Sequence, residues 1–131
     1  MKSEPDVFSY DDLVKKGREL WDGVRNYTAR NNLRAMKKGD LALFYHSNID
    51  KAVVGIAKIV KEAYQDPTTE EIQWVCVDVA PVEKLKHPVS LAAIKANPKL
   101  AEMKIIKQSR LSVIDVTKEE FDEIVRMSKK A

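Results

Sequence analysis

The sequence predicts an α+β domain in which helices surround a small, strongly curved sheet or barrel. Three apolar strand patterns cluster between residues 41 and 85, and helical patterns with capping residues lie on either side of them. This order of elements is neither a strict strand–helix alternation nor an all-β pattern. With 131 residues, of which 44% are hydrophobic, the chain is long enough to form a single domain with its own core.

The N-terminal part predicts two helices. The first begins after the cap residue Ser9 and ends at Gly17. The second runs from about residue 27 to residue 36, and Gly39 is placed to stop it in a left-handed conformation.

The predicted strands cover residues 41–46, 52–60 and 73–85. Gly55 interrupts the second strand, which indicates a bulge or a close approach of another group. Pro81 in the third strand indicates a sheet edge or a bend, because proline cannot donate to a strand neighbour.

The C-terminal part predicts a helix after the cap Ser90, closed at residues 97–98, and a short strand over residues 111–114. A capping box at Thr117–Glu120 predicts the last helix. Residues 128–131 are expected to be a frayed tail.

The residue counts exclude several classes of site. The single cysteine, Cys76, rules out an internal disulfide framework, and its apolar strand surroundings indicate an inert buried thiol. The two histidines, His46 and His87, lack metal-ligand spacing, and the four glycines form no phosphate-binding loop. With no apolar leader and no membrane-length apolar run, we expect a cytoplasmic monomer without a cofactor and without membrane association.

The stretch of residues 21–32 has the composition of a binding surface, because it combines aromatic rings, arginines and asparagines. The stretch from residue 15 to residue 38 contains eight basic and two acidic residues on a chain of net charge +3, as expected for phosphate contact, although a solvated basic helix face is the commoner meaning of such a run. The pattern leaves two alternatives open: Trp21 could instead plug one end of the core, and Tyr45 could be a core tyrosine. The candidate groups are Trp21, Tyr27 and Tyr45 for stacking; Arg25, Arg30 and Arg110 for charge; and Asn26, Asn31, His46, Ser47 and Asn48 for recognition of base edges.

Four blocks in order resemble the EVE domain family: residues 1–5 (Met-Lys-Ser-Glu-Pro), 21–27 (Trp-Asp-Gly-Val-Arg-Asn-Tyr), 44–48 (Phe-Tyr-His-Ser-Asn) and 110–113 (Arg-Leu-Ser-Val). The resemblance covers nearly the whole chain. It implies a PUA-like fold, a small and mostly antiparallel β-barrel with flanking helices. It also implies binding of DNA or RNA through one flipped, modified base, with a methylated or hydroxymethylated cytosine as the usual proposal.

Carried over block by block, the resemblance implies a base pocket with Trp21 as its stacking wall and with Asn26 and Ser47 as edge readers. The implied pocket comprises Lys2, Ser3, Trp21, Val24, Arg25, Asn26, Tyr27, Tyr45, His46, Ser47 and Arg110. Phosphate would be held by Lys2, Arg25 and Arg110 from this set and by Arg30, Arg34 and Lys37.

Two departures from the family accompany the resemblance. Members usually carry a Tyr-Trp pair before the first block, whereas this chain begins at Met1, so we expect a shortened first strand. The loop over residues 67–72 is also shorter than in many members. Two other classes of function remain as alternatives: an enzyme acting on a nucleobase-like molecule with His46 as acid or base, and a protein-interaction module.

Overall fold

The computed structural model describes residues 1–3, 8–47, 51–107 and 113–129. Five strands form one sheet with the order β1-β3-β4-β5-β2. Among the described strands only the β1–β3 pairing is parallel, so the predicted α+β class with a mostly antiparallel sheet is confirmed. The strands are β1 (Lys2–Ser3), β2 (Glu19–Leu20), β3 (Leu41–His46), β4 (Ala52–Gln65) and β5 (Val75–Ser90); the helices are α1 (Tyr10–Lys16), α2 (Tyr27–Ala35), α3 (Leu91–Ala96), α4 (Lys104–Lys107) and α5 (Lys118–Ser128).

The predicted caps start three of the helices. Ser9 and Thr117 each form a capping box, with Asp12 and Glu120 as partners. The Ser90 side chain accepts a hydrogen bond from the Ala93 N–H at the start of α3. These caps act on neighbours within three residues, so the sequence alone identifies them.

Three expectations about element ends are wrong. Met36, in an extended conformation, ends α2, and Gly39 (φ 94°) lies in the turn that follows. Ser128 belongs to α5 and is buried, with its hydroxyl bonded to the Val125 carbonyl rather than frayed. Val113 and Ile114 are not in a strand, and the rest of the strand predicted there lies outside the described residues.

The long strands β4 and β5 bend together, because four register shifts interrupt their pairing. Both strands are longer than predicted, since polar residues at their far ends lack a strand pattern. Pro81 lies beyond the short β2, which pairs only with Asp78 and Val79, so the prediction of an edge or bend there is confirmed.

Gly55 meets both expectations stated for it. It lies at a register shift of β4, and a Cβ built there would stand 2.5 Å from the Tyr10 ring. The Tyr10 hydroxyl donates to the Ile56 carbonyl at 2.7 Å. Glycine therefore lets α1 pack directly against the strand.

Two apolar clusters fill the core. Phe44 belongs to one, with Trp21 and Tyr10, whereas Leu43 and Tyr45 belong to the other. This division follows from the alternation of side chains along a strand. No helix within the described residues is long and apolar enough to cross a membrane.

Candidate nucleic-acid interface

The segment between β2 and α2 carries the Trp21 block and is fastened at several points. The Trp21 N–H donates to the Val77 carbonyl at 2.7 Å, which fixes the start of the segment to β5. Gly23 adopts φ 76°, a left-handed conformation that favours glycine, and its N–H donates to Asp66 at 2.8 Å. The segment is therefore tied to the β4–β5 connection.

Asp66 is the central fastening group. Its side chain is fully buried and accepts hydrogen bonds from Gly23, from the Arg25 guanidinium at 3.0 Å, and from the Thr68 N–H and hydroxyl. Burial alone raises the pKa of the Asp66 carboxyl, but these hydrogen bonds outweigh it and lower the pKa to about 2. Asp66 is thus a charged anchor that holds the Trp21 segment in place at neutral pH.

The Trp21 ring lies edge-on against two phenylalanines. Its centroid is 5.5 Å from that of Phe44 and 6.3 Å from that of Phe8, with interplanar angles of 83° and 74°. Only 9% of Trp21 is exposed. The ring belongs to the core, as the interpretation of Trp21 as a core residue predicts. The small exposed part is the surface that a stacking role would use.

The parallel pairing of β1 and β3 places Ser3 opposite His46. The Ser47 N–H donates to the Ser3 carbonyl at 2.8 Å, and the His46 ring lies 5.8 Å from that of Phe44. Ser3, His46 and Ser47 thus gather at the end of β1 and β3. The His46 ring lies on the side of the sheet where Phe44 contacts Trp21. We call this group (Ser3, Trp21, His46 and Ser47) the recess.

The tautomer of His46 follows from its contact with α1. The Tyr10 N–H donates to His46 Nε2 at 3.1 Å, so this nitrogen is an acceptor and the ring proton lies on Nδ1. His46 thereby helps to fix the start of α1. The same contact occupies a nitrogen that an acid–base role could use.

Lys2 and Tyr45 lie on the other side of the sheet. Tyr45 is 5% exposed, and the Lys2 ammonium is 6.0 Å from its ring centroid. Burial lowers the pKa of Lys2. Both residues line a mostly apolar cavity of about 690 Å³, bordered by α5 and the end of α2, which we call the opposite cavity. The structure therefore does not bring these two residues together with the recess.

The side chains of Arg25 and Asn26 are engaged in fixing the backbone. Arg25 bonds Asp66 and, at 3.1 Å, the Thr68 hydroxyl. The Asn26 carbonyl oxygen caps α2 by accepting from the Ala29 N–H at 3.0 Å, which leaves its amide group as the part able to read a base edge. Val24 is buried in the core cluster beside Trp21.

Some basic residues of the stretch 15–38 form ion pairs, and others have none among the described residues. Lys16, Arg18 and Arg25 form ion pairs with Glu19, Asp78 and Asp66. Within the part of the chain that the structure describes, no ion pair involves the predicted phosphate contacts Arg30, Arg34 and Lys37. Fewer basic residues of this stretch are therefore without a carboxylate partner than the sequence count suggests.

Some predicted site residues cannot be placed. Arg110 and Asn48 lie outside the described residues, as do residues 4–7, which directly follow Ser3. Among the described residues, no group of three or more histidine, cysteine and acidic side chains could hold a metal ion.

Sequence reasoning missed Asp66, Thr68 and Trp74 as partners of the Trp21 segment. Asp66 and Thr68 form an aspartate turn, in which the carboxylate accepts from the backbone two residues on. The spacing Asp-Pro-Thr was the available signal for this turn, but nothing in it indicates the long-range bond to Gly23. Trp74 was expected as an ordinary strand residue.

The fold defines a class, that of small PUA-like domains in which helices flank a curved, mostly antiparallel sheet. The EVE domain model matches residues 1–127, and the chain belongs to the EVE domain family. Human thymocyte nuclear protein 1 is 38% identical over 164 residues, covering 99% of this chain and 73% of that protein.

Solved structures agree over the whole chain. A Rhodopseudomonas palustris protein studied by NMR has a TM-score of 0.94 and 50% identity, covering 98% of this chain and 90% of that one. The human THYN1 protein, solved in complex with 5-methylcytosine containing DNA, has a TM-score of 0.93 and 38% identity, covering 100% and 96% of the two chains. The implied PUA-like fold is thereby confirmed.

Proposed function

We propose that this protein binds DNA carrying a modified cytosine and holds the modified base, flipped out of its strand, in the recess. The observation that carries the proposal is the full-length match, at a TM-score of 0.93, to human THYN1 in complex with 5-methylcytosine containing DNA. Family membership over residues 1–127 supports the same assignment.

The recess offers the groups that base capture requires. The Trp21 and His46 rings supply planar surfaces, and Ser3 and Ser47 supply polar groups at the end of β1 and β3. Extruding a base costs a few kcal/mol unless it is already unpaired, and stacking with edge hydrogen bonds must offset that cost. A recess fixed by Asp66 and by the caps of α1 and α2 loses little conformational entropy when the base enters.

The proposal is of a binding module rather than an enzyme. The occupied Nε2 of His46 supports this choice, because an acid–base role would have to break the contact that orients α1. RNA is the alternative ligand class, which the experiment below compares directly with DNA.

The test is the affinity for matched single-stranded DNA and RNA oligonucleotides containing cytosine, 5-methylcytosine, 5-hydroxymethylcytosine or N6-methyladenine, measured by anisotropy at two salt concentrations. We expect one modified cytosine in DNA to bind best, with a preference that persists as salt rises. Weak binding to every strand that falls steeply with salt would show that only the basic surface acts, and would contradict the proposal.

Variants at two positions locate the site. Trp21→Ala should abolish the binding preference for the modified cytosine. Because truncating a buried tryptophan costs about 3–5 kcal/mol, Trp21→Phe provides a milder version that keeps an aromatic ring against Phe44. Ser47→Ala should weaken the preference, whereas Thr28→Ala, which removes an exposed hydroxyl on α2, should not.

A further inference from the structure

Four planar side chains form a continuous ladder beside the Trp21 segment. The Arg25 guanidinium lies 5.7 Å from the Trp74 ring centroid, the Trp74 and Tyr27 centroids are 5.0 Å apart at 35°, and the Arg30 guanidinium lies 4.9 Å from the Tyr27 centroid. We call Arg25, Trp74, Tyr27 and Arg30 the ladder. None of its four residues belongs to the recess, and Arg25 connects it to Asp66, which fastens the Trp21 segment.

The ladder is held in place by polar contacts. Asn31 accepts two hydrogen bonds from the Arg30 guanidinium, at 2.8 and 3.2 Å. The Trp74 Nε1–H donates to Glu71 at 2.8 Å. Its planar groups are therefore oriented before any ligand arrives.

The outer part of the ladder is open to solvent. Tyr27 is 59% exposed, although it is a large aromatic residue at the first position of α2, where the helix has no need of one. Since one part of the ring packs on Trp74 and most of it is exposed, the exposed part is available to a ligand.

The Arg30 end of the ladder is the better site for an anion, because within the described residues its positive charge is not paired with a carboxylate. Arg25 is neutralised by Asp66, and Glu71 adds negative charge beside Trp74. Arg30, by contrast, is held by the neutral amide of Asn31, and no carboxylate within the described ranges pairs with it. Arg34 is exposed one turn further along α2, so Tyr27, Arg30 and Arg34 form a stripe at helical spacing.

We infer that the ladder binds unpaired nucleotides that lie beyond the immediate neighbours of the captured base, with a base stacked at Tyr27 and phosphates beside Arg30 and Arg34. Single-stranded nucleic acid is bound elsewhere by this combination of aromatic faces and arginine. Tyr27 is six positions after Trp21, which limits the distance between their Cα atoms to about 20 Å. A strand whose base enters the recess can therefore reach the ladder within a few nucleotides.

This inference rests on the proposed function for the position of the strand, but it concerns a different contact. A ladder contact should make the affinity rise with strand length and should not discriminate cytosine from 5-methylcytosine. A recess contact should discriminate between the two cytosines and should not depend on strand length. The two can therefore be separated by measuring both quantities in the same variants.

The test compares a trinucleotide and a nonanucleotide of single-stranded DNA, each with a central cytosine or 5-methylcytosine, by anisotropy. In Tyr27→Ala, affinity for the nonanucleotide should fall about tenfold, with the trinucleotide affinity and the ratio between the two cytosines unchanged. Tyr27→Phe should keep the affinity, because it keeps the stacking ring. Arg30→Gln should reduce the salt dependence by about one phosphate contact, whereas the matched control Lys15→Gln on α1 should not.

Each outcome has a distinct meaning. Equal nonanucleotide affinity in Tyr27→Ala and the wild type would overturn the inference. Loss of the 5-methylcytosine preference in Tyr27→Ala would also overturn it, because Tyr27 would then belong to the base pocket. If the wild type shows no preference between cytosine and 5-methylcytosine but its nonanucleotide affinity still depends on Tyr27, the result would contradict the proposed function and support the ladder. A wild type that binds no strand would contradict both.

Discussion

The two sides of β3 differ in what they offer a ligand. On one side, Phe44 and His46 join Trp21 in an aromatic group, at the strand end that Ser3 and Ser47 share with His46. On the other side, Tyr45 and Lys2 border the opposite cavity, which is mostly apolar and lies beneath α5. Adjacent residues of one sequence block therefore serve two different regions, and the block alone does not define a pocket.

The largest expected effect comes from Phe44, which is fully buried and contacts Trp21, Tyr10 and His46. Phe44→Ala should lower the free energy of unfolding by about 3–5 kcal/mol, because it leaves a cavity among three rings. Urea unfolding followed by circular dichroism measures this loss. A loss below about 1 kcal/mol would show that the aromatic group is loosely packed.

Asp66→Asn should have the next largest effect and lower the free energy of unfolding by about 2–3 kcal/mol, because the Arg25 guanidinium and several donors lose a charged acceptor. The pH dependence has a definite sign. The folded-state pKa of about 2 lies below the ordinary value near 4, so the stabilisation is complete above about pH 4 and is lost as the pH falls toward 2.

Unfolding of both proteins between pH 5 and pH 2 checks this prediction. The wild type should lose stability more steeply than Asp66→Asn in the acid range. Parallel pH profiles would mean that Asp66 does not hold the Trp21 segment by its charge.

Gly55→Ala tests the link between α1 and the recess. The added methyl group would meet the Tyr10 ring and should cost about 1–3 kcal/mol through overpacking. Because the Tyr10 N–H bonds His46, we also expect a shifted His46 ring signal in NMR spectra. A destabilised variant with an unchanged His46 signal would separate α1 packing from the recess.

Individual residues show which features of the fold can be predicted from the sequence. Ser9, Ser90 and Thr117 were correctly predicted as caps, because a cap acts on its own neighbours. The strand β2 (Glu19–Leu20) was missed, since two residues carry no periodic pattern. Gly39 was wrongly predicted to end α2. The helix ends earlier, at Met36, whose extended conformation has no signal in the neighbouring sequence.

The site was harder to predict than the fold. The resemblance named Lys2, Tyr45 and His46 together, but their distribution over two sides depends on the β1–β3 register. Asp66 looked like an ordinary loop residue, because its bonds to Gly23 and Arg25 span more than forty residues. Such long-range pairings have no local sequence signal.

The smallest expected effect belongs to the opposite cavity. Tyr45→Phe should change the free energy of unfolding by less than about 1 kcal/mol, since the ring and its packing stay. It should also change the affinity for a 5-methylcytosine strand by less than about twofold, because the recess faces the other way. A loss comparable with that of Trp21→Phe would move the base site to this side of the sheet.

The most direct test of the account is an NMR titration of the labelled protein with a single strand containing one 5-methylcytosine, set against the same strand with cytosine. The account predicts that the signals of the Trp21 indole, the His46 ring and the Ser3 and Ser47 amides shift and saturate with the modified strand. Signals around Tyr45, Met103 and Ile105 should remain in place. Shifts confined to those three residues, with the recess unchanged, would contradict the account.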